Sequence, residues 1–365
     1  MHFTPLLLIL GAAALPAFAG PTASHHAEWV DKMQRLTPRG HVCQFATVPP
    51  KIDGILEESA WSDAEWTEDF VDIEGNGKPK PKYRTRAKML WDREFFYLAA
   101  DLEEPGLWAT LTKHDSVIFQ DPDFEVFVDP DGDSHEYCEF EINALNTGWD
   151  LFLPKPYKDG GKAQDEWEIP GLRTAVHLRG TLNNPADKDE GWSVEIALPW
   201  KAFEAFAHRP TPPQAGDQWR VGFSRVQWQT EIKNSRHVKL PNTPEHNWVW
   251  SPQGVIDMHR PEQWGFVQFA GPGSAASVFV PDPALPVRNL LQEVYYAQLD
   301  HHRKHQRWAA ALEDLALQPV RPKGVGPLTL KPTEDGYEAA ADITLPDGRI
   351  QRWLIRQDAH ITPEK

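Results

Sequence analysis

Phe119 to Asp150 reads FQDPDFEVFVDPDGDSHEYCEFEINALNTGWD, and its alternation decides the fold. Phe124, Val126 and Val128 alternate with Glu125, Phe127 and Asp129, and Cys138, Phe140 and Ile142 alternate with Tyr137, Glu139 and Glu141. Period-2 patterning of this kind predicts strands with two distinct faces, and two such runs beside each other predict an antiparallel pair. Asp129-Pro-Asp-Gly-Asp133 makes the turn between them. Its three carboxylates repel one another unless a cation, hydrogen bonds or solvent relieves them. The oxygen-rich loop would suit Ca²⁺ through Asp129, Asp131 and Asp133; the competing reading is a solvated acidic hairpin tip, because the EF-hand pattern is absent. Glu125 stands out as a carboxylate on a strand whose other face is apolar, with Asn143 on the partner strand.

The chain around this hairpin has 365 residues, enough for one large or two modest domains. Its 53 acidic and 37 basic side chains leave a formal charge of −16, which argues against nucleic acid or an anionic membrane surface as partner. Sixteen Trp and 33 Pro among short alternating runs predict an all-β body with many rigid turns. At the N-terminus, Pro5 to Leu15 is apolar and too short to span a bilayer, and Ala17-Phe-Ala19 offers a small-x-small cleavage pattern. Residues 1–19 therefore read as a signal peptide cleaved after Ala19, placing the protein outside the cytoplasm, secreted or periplasmic. Cys43 and Cys138 read as two free buried thiols in preference to a disulfide, though export permits a bridge worth on the order of 4 to 5 kcal/mol.

In chain order, residues 20–39 read as a loose helix or tail and 42–46 as a strand. Residues 49–61 read as a turn into a short helix presenting Ile55, Ala60 and Trp61 inward, and 66–73 as a further strand. Thr85–Trp91 and Phe95–Leu102 form a hairpin, and strands follow near 172–177, 191–198, 219–229 and 264–269. Nine or more short strands at regular spacing predict an antiparallel β-sandwich over 42–270. Residues 271–286 read as a linker. The segment 287–365 reads as an extension made of a seven-turn amphipathic helix over 289–317 and a hairpin with an Asp347-Gly348 turn. His301, His302 and His305 lie at metal-compatible spacing, but a solvated helical face is the better reading.

No nucleophile elbow, phosphate loop, dinucleotide fingerprint or zinc-protease motif is present. Strand acids such as Glu125, Glu139, Glu141 and Glu195 would suit a glycosidase only if the fold placed two of them correctly. Aromatic rings, by contrast, suit the C–H faces of sugars, and Trp91, Trp108, Phe119, Trp149, Trp228, Trp248 and Trp250 are the candidates.

Together, Ile52-Asp-Gly-Ile-Leu-Glu-Glu-Ser-Ala-Trp61, Lys88-Met-Leu-Trp-Asp92 before Phe95-Phe-Tyr-Leu98, Asp123-Phe-Glu-Val-Phe-Val-Asp129, Phe140-Glu-Ile-Asn143 and Trp264-Gly-Phe-Val-Gln-Phe269 resemble the family 9 carbohydrate-binding module, a DOMON-like β-sandwich. The resemblance covers about Val42 to Phe269. It implies that two aromatic rings sandwich a terminal sugar, that a strand Glu with an Arg and an Asn binds hydroxyls, and that calcium is structural. On this basis Glu125 and Asn143 match the Glu and Asn, and Phe119 falls at the first aromatic position. Two positions depart: Glu141 falls where the family has Arg, and Met258 where it has the second Trp, with Trp248, Trp250 or His259 as substitutes. The implied function is binding of an oligo- or polysaccharide in polysaccharide catabolism. The alternatives are a glycoside hydrolase or its accessory subunit, and a haem or redox protein using Met258 or His259.

Overall fold

The computed structural model describes residues 24–364 except 63, 76, 274–277, 316 and 318–320. The signal-peptide reading lies outside these residues. The sandwich is built from β1 (Gly40–Phe45), β2 (Val71–Asp72), β3 (Thr85–Trp91), β4 (Phe95–Glu103), β5 (Asp123–Asp129), β6 (Tyr137–Asn143), β7 (Gly148–Leu153), β8 (Arg173–Arg179), β9 (Gly191–Pro199), β10 (Gln218–Gln227), β13 (His246–Val249) and β14 (Gly265–Phe269). A hairpin of β11 (Thr230–Lys233) and β12 (Arg236–Lys239) stands apart.

One sheet runs β7-β6-β5-β10-β14-β1, with β13 and β2 continuing from the far end of β10. The other runs β3-β4-β9-β8. β1 belongs to both: Gly40 to Cys43 pair with β14, while Gln44 and Phe45 pair with β3. Both of its pairings are parallel, the exception in a fold that is otherwise antiparallel as the sequence predicts.

Alternation sorts each strand between the sheets and the outside. Phe124, Val126, Val128, Phe140 and Ile142 meet Met89, Trp91, Leu98, Val194 and Ile196 in the core. Burial of each large apolar side chain contributes roughly 1.5 to 3 kcal/mol. Much of the tryptophan count is spent here. Trp200 stacks on Phe96 at 5.8 Å and meets Trp91, Trp219 and Phe269 edge-on, arrangements that add to area burial alone.

Glu195 explains the Ile52–Trp61 motif. This fully buried carboxylate on β9 accepts the N–H groups of Asp53 (2.8 Å) and Gly54 (2.6 Å) and the Trp61 indole N–H (2.5 Å). Gly54 sits at φ +84°, and a Cβ there would stand 2.6 Å from the His177 nitrogen. Ile55, expected inward, is instead 41% exposed, because the turn points it outward and leaves Trp61 to fill the pocket. The expected strand over 66–73 shrinks to β2 and one bridge, Trp66 to Lys88.

The C-terminal unit has its own core. A helix over Leu285–His305 lays Val287, Leu290, Leu291 and Val294 against Ala339, Ala341 and Ile355 of a four-stranded sheet, β15 (Thr329–Pro332), β16 (Tyr337–Thr344), β17 (Ile350–Arg356) and β18 (Ile361–Pro363). The helix is shorter than expected: Gln306 turns left-handed at φ 55° and only a 3-10 turn follows at Leu312–Asp314. The segment read as a tail also joins this core, since Trp29 stacks on Tyr296 at 5.2 Å and the Ser24 hydroxyl donates to Asp300. Cys43 and Cys138 are free and buried, as expected.

Candidate functional site

The outward face of β5 and β6 carries the acids. Register places Glu125 opposite Glu141 and Phe127 opposite Glu139, with Trp149 and Leu151 of β7 as the next neighbours of Glu141 and Glu139. Since strand side chains alternate, all three glutamates share one face while Phe124, Val126, Phe140 and Ile142 hold the other side in the core. Loops then wall the face in. Phe119 comes from the turn Ile118–Gln120, Tyr157 from the Pro- and Gly-rich loop after β7, and Met258 and His259 from the loop before β14. The result is a cavity of about 250 Å³ lined by these residues together with Ile73, Glu245 and Asn247.

Its polar groups are only partly satisfied. Glu141 accepts the Phe119 N–H at 2.9 Å, and the Phe119 carbonyl accepts the Trp228 indole N–H at 2.9 Å, which fixes the aromatic wall. The His259 Nδ1 pairs with the Tyr137 hydroxyl at 2.8 Å, its Nε2 is 3.9 Å from Glu139, and Tyr157 meets its ring edge-on at 4.4 Å. One oxygen each of Glu125, Glu139 and the neighbouring Asp123 has no hydrogen-bond partner despite burial. No Lys or Arg is among the residues lining the cavity. Lys239 is nearby, but it donates to Gln120 and lies over the Trp228 ring.

Burial without cations sets the protonation. Desolvation, with a contribution from Glu245, pushes Glu125 up to about 7. Burial and the charge of Glu125 push Glu139 and Glu141 well above the ordinary carboxylate range, and burial drives His259 down to about 4. At neutral pH the cavity therefore presents carboxyl groups that retain protons beside a neutral imidazole. Such carboxyls can both donate to and accept from hydroxyls.

Of the residues singled out in the sequence, Phe119, Glu125, Glu139, Glu141, Trp149, Met258 and His259 line this cavity. Asn143 does not. Its amide nitrogen donates to the Leu111 carbonyl and Asp121, and its oxygen accepts from Leu145 and Thr147, so the side chain is consumed in holding loops. Trp250 is fully buried against Phe223, with its indole N–H donated to Glu68, because alternation past β13 turns it into the core. Trp91 is likewise core, whereas Trp108, Trp228 and Trp248 line a second cleft of about 430 Å³ with Tyr83. Tyr157 was missed; its signal was an aromatic inside a Pro/Gly-rich loop.

Asp129, Asp131 and Asp133 do converge. Burial and mutual repulsion raise Asp129 to about 7 and Asp131 to about 9. However, both oxygens of Asp129 accept backbone N–H groups, from Gly132 and Ser134, and Asp133 faces the His135 N–H and His360. Arg288 of the long helix donates to the Gly132 carbonyl. The protein's own donors thus engage the oxygens of Asp129 and Asp133, each of which keeps a second lone pair, and one ligand atom from each of the three carboxylates lies within 4.8 Å of the others.

Residues 52–265 match the model of the family described as carbohydrate family 9 binding domain-like. No curated protein matches the chain. Among solved structures, a family 9 carbohydrate-binding module from Caldicellulosiruptor kristjanssonii in complex with cellotriose is 16% identical, with 67% of this chain and 100% of that one covered and a TM-score of 0.43. A family 9 module from the same organism in complex with glucose has the same identity and coverage and a TM-score of 0.42. A putative carbohydrate-binding protein from Bacteroides uniformis is also 16% identical, with 64% and 100% covered and a TM-score of 0.47. The family match runs from the Ile52 turn to the start of β14, more than half of the chain, and on that ground the chain belongs to the carbohydrate family 9 binding domain-like family.

Proposed function

We propose that the acid-floored cavity binds one ring of a neutral sugar, the end of an oligo- or polysaccharide, without cleaving it. The observation that supports this best is the pairing of unsatisfied, proton-retaining carboxyls on Glu125 and Glu139 with an apolar wall of Phe119, Trp149, Tyr157 and Met258. Hydroxyls would meet the carboxyls, and the C–H faces of the ring would meet the wall. Glu141 stands where the resemblance expects Arg, so the hydroxyl pattern recognised differs from one read by a guanidinium. The apolar run at residues 5–15 supports a place outside the cytoplasm. No helix among the described residues is long and apolar enough to cross a membrane.

Glycan-array screening of the chain, followed by calorimetry on the best ligand, tests this reading. Glu125→Ala should weaken binding by at least roughly tenfold, since it removes a hydroxyl's hydrogen-bond partner; unchanged affinity would remove this cavity as the site. A second reading, a glycoside hydrolase, draws on Glu125 and Glu141 facing each other across β5 and β6. Release of reducing ends from a glycan panel, abolished in Glu125→Gln, would favour it.

A further inference from the structure

Away from the sugar cavity, the opposite face of edge strand β7 carries Asp150, and three separate segments meet there. His114 Nδ1 lies 2.9 Å from the Gly148 carbonyl oxygen, an acceptor, so Nδ1 holds a proton and the ring is fixed in orientation. Around Nε2 stand three carboxylate oxygens: Glu168 Oε2 at 3.2 Å, Asp115 Oδ1 at 3.3 Å and Asp150 Oδ1 at 3.4 Å. One ring nitrogen can offer at most one hydrogen, so it cannot satisfy three anionic oxygens. Asp150 makes the shortage concrete. Its side chain is 2% exposed and its Oδ2 accepts the Ile169 N–H at 2.5 Å, yet Oδ1, aimed at His114, has no hydrogen-bond partner.

The spacing has a simple explanation. Donors about 2.0 to 2.1 Å from a tetrahedral Zn²⁺ stand about 3.3 Å from one another, and the three oxygens stand at that distance from Nε2. An imidazole with three carboxylates suits a borderline cation, whereas Ca²⁺ gathers six to eight oxygens. We propose that His114, Asp115 and Glu168, whose ligand atoms lie within 4.8 Å of one another, form a site for a divalent cation of the zinc class, with the unpartnered Asp150 oxygen aimed at the same imidazole, pinning the loop ahead of β5 and the loop after β7 to the sheet edge.

The test uses the full chain stripped with chelator, titrated with Zn²⁺ by calorimetry and with Co²⁺ as a visible probe of coordination. The expected result is one Zn²⁺ per chain, a tetrahedral Co²⁺ spectrum, and affinity reduced roughly tenfold or more in His114→Gln and Asp150→Asn. His114 is half-exposed, so its variant keeps the fold even if Asp150→Asn does not. His305→Gln serves as a control for the helix pair His301 and His305, whose rings are 4.5 Å apart, and Asp131→Asn for the acidic loop. Both controls should bind like the wild type. No Zn²⁺ binding by the wild type, equal affinity in His114→Gln, or loss in either control would overturn the site, and none of these outcomes bears on sugar binding at the separate cavity.

Discussion

Glu125→Gln should make the protein more stable at alkaline pH. Glu125 is 5% exposed and titrates at about 7, against 4.5 for an ordinary glutamate. A folded-state value above the unfolded one means that this group's contribution to stability is complete below about pH 4.5 and is lost as pH rises through about 7. A displacement of this size is worth on the order of 3 kcal/mol. Gln keeps the shape and cannot ionise. The variant should therefore match the wild type near pH 4.5 and exceed it near pH 8 by on the order of 3 kcal/mol, about 4 °C in Tm for a chain of 365 residues. Removing the Glu125 charge also relieves Glu139 and Glu141, whose values it raises, so the pH dependence of the variant is shallower throughout. Urea unfolding of both proteins across this pH range, with chelator present, measures the effect. A stability difference that is the same at both ends, or a variant less stable near pH 8, would refute the reasoning.

Three other outcomes follow from the packing. Glu195→Ala strands three donors, two of them in buried bonds, each bond charge-assisted, and should lower stability by roughly 4 kcal/mol in chemical denaturation. Arg225, buried on β10, bonds Glu104 at 2.9 Å, Thr85 at 3.0 Å and Gln227 at 2.7 Å; Arg225→Ala should cost roughly 3 to 5 kcal/mol by leaving Glu104 unpaired, and Arg225→Lys should recover only part of it. Cys43 and Cys138 should resist a thiol reagent in the native protein and both react on unfolding, with no change in thermal stability on adding reductant.

Local chemistry written along the chain determined the sandwich, its hairpins and the face that carries Glu125 and Glu141. Period-2 alternation chooses a side for every strand residue without reference to distant partners, and Asp-Gly or Asp-Pro pairs choose the turns. The same locality marks Phe119 and Met258 as loop residues free to reach a ligand. What a side chain spends its hydrogen bonds on is not local. Asn143 lost its place in the cavity because Leu111, Asp121, Leu145 and Thr147, brought together by loop packing, use all of its amide. Glu195, one strand acid among many in the sequence, became the anchor of a turn some 140 residues earlier. Trp250 looked like a loop aromatic and is core because β13 delivers it there. The convergence of Tyr157 and His259 on the glutamates, of Arg288 and His360 on the acidic loop, and of Asp115, Asp150 and Glu168 on His114 likewise joins residues far apart in the chain. Only the tertiary structure decided these, because burial and distance, which set both pKa and partnership, exist only after the chain has folded.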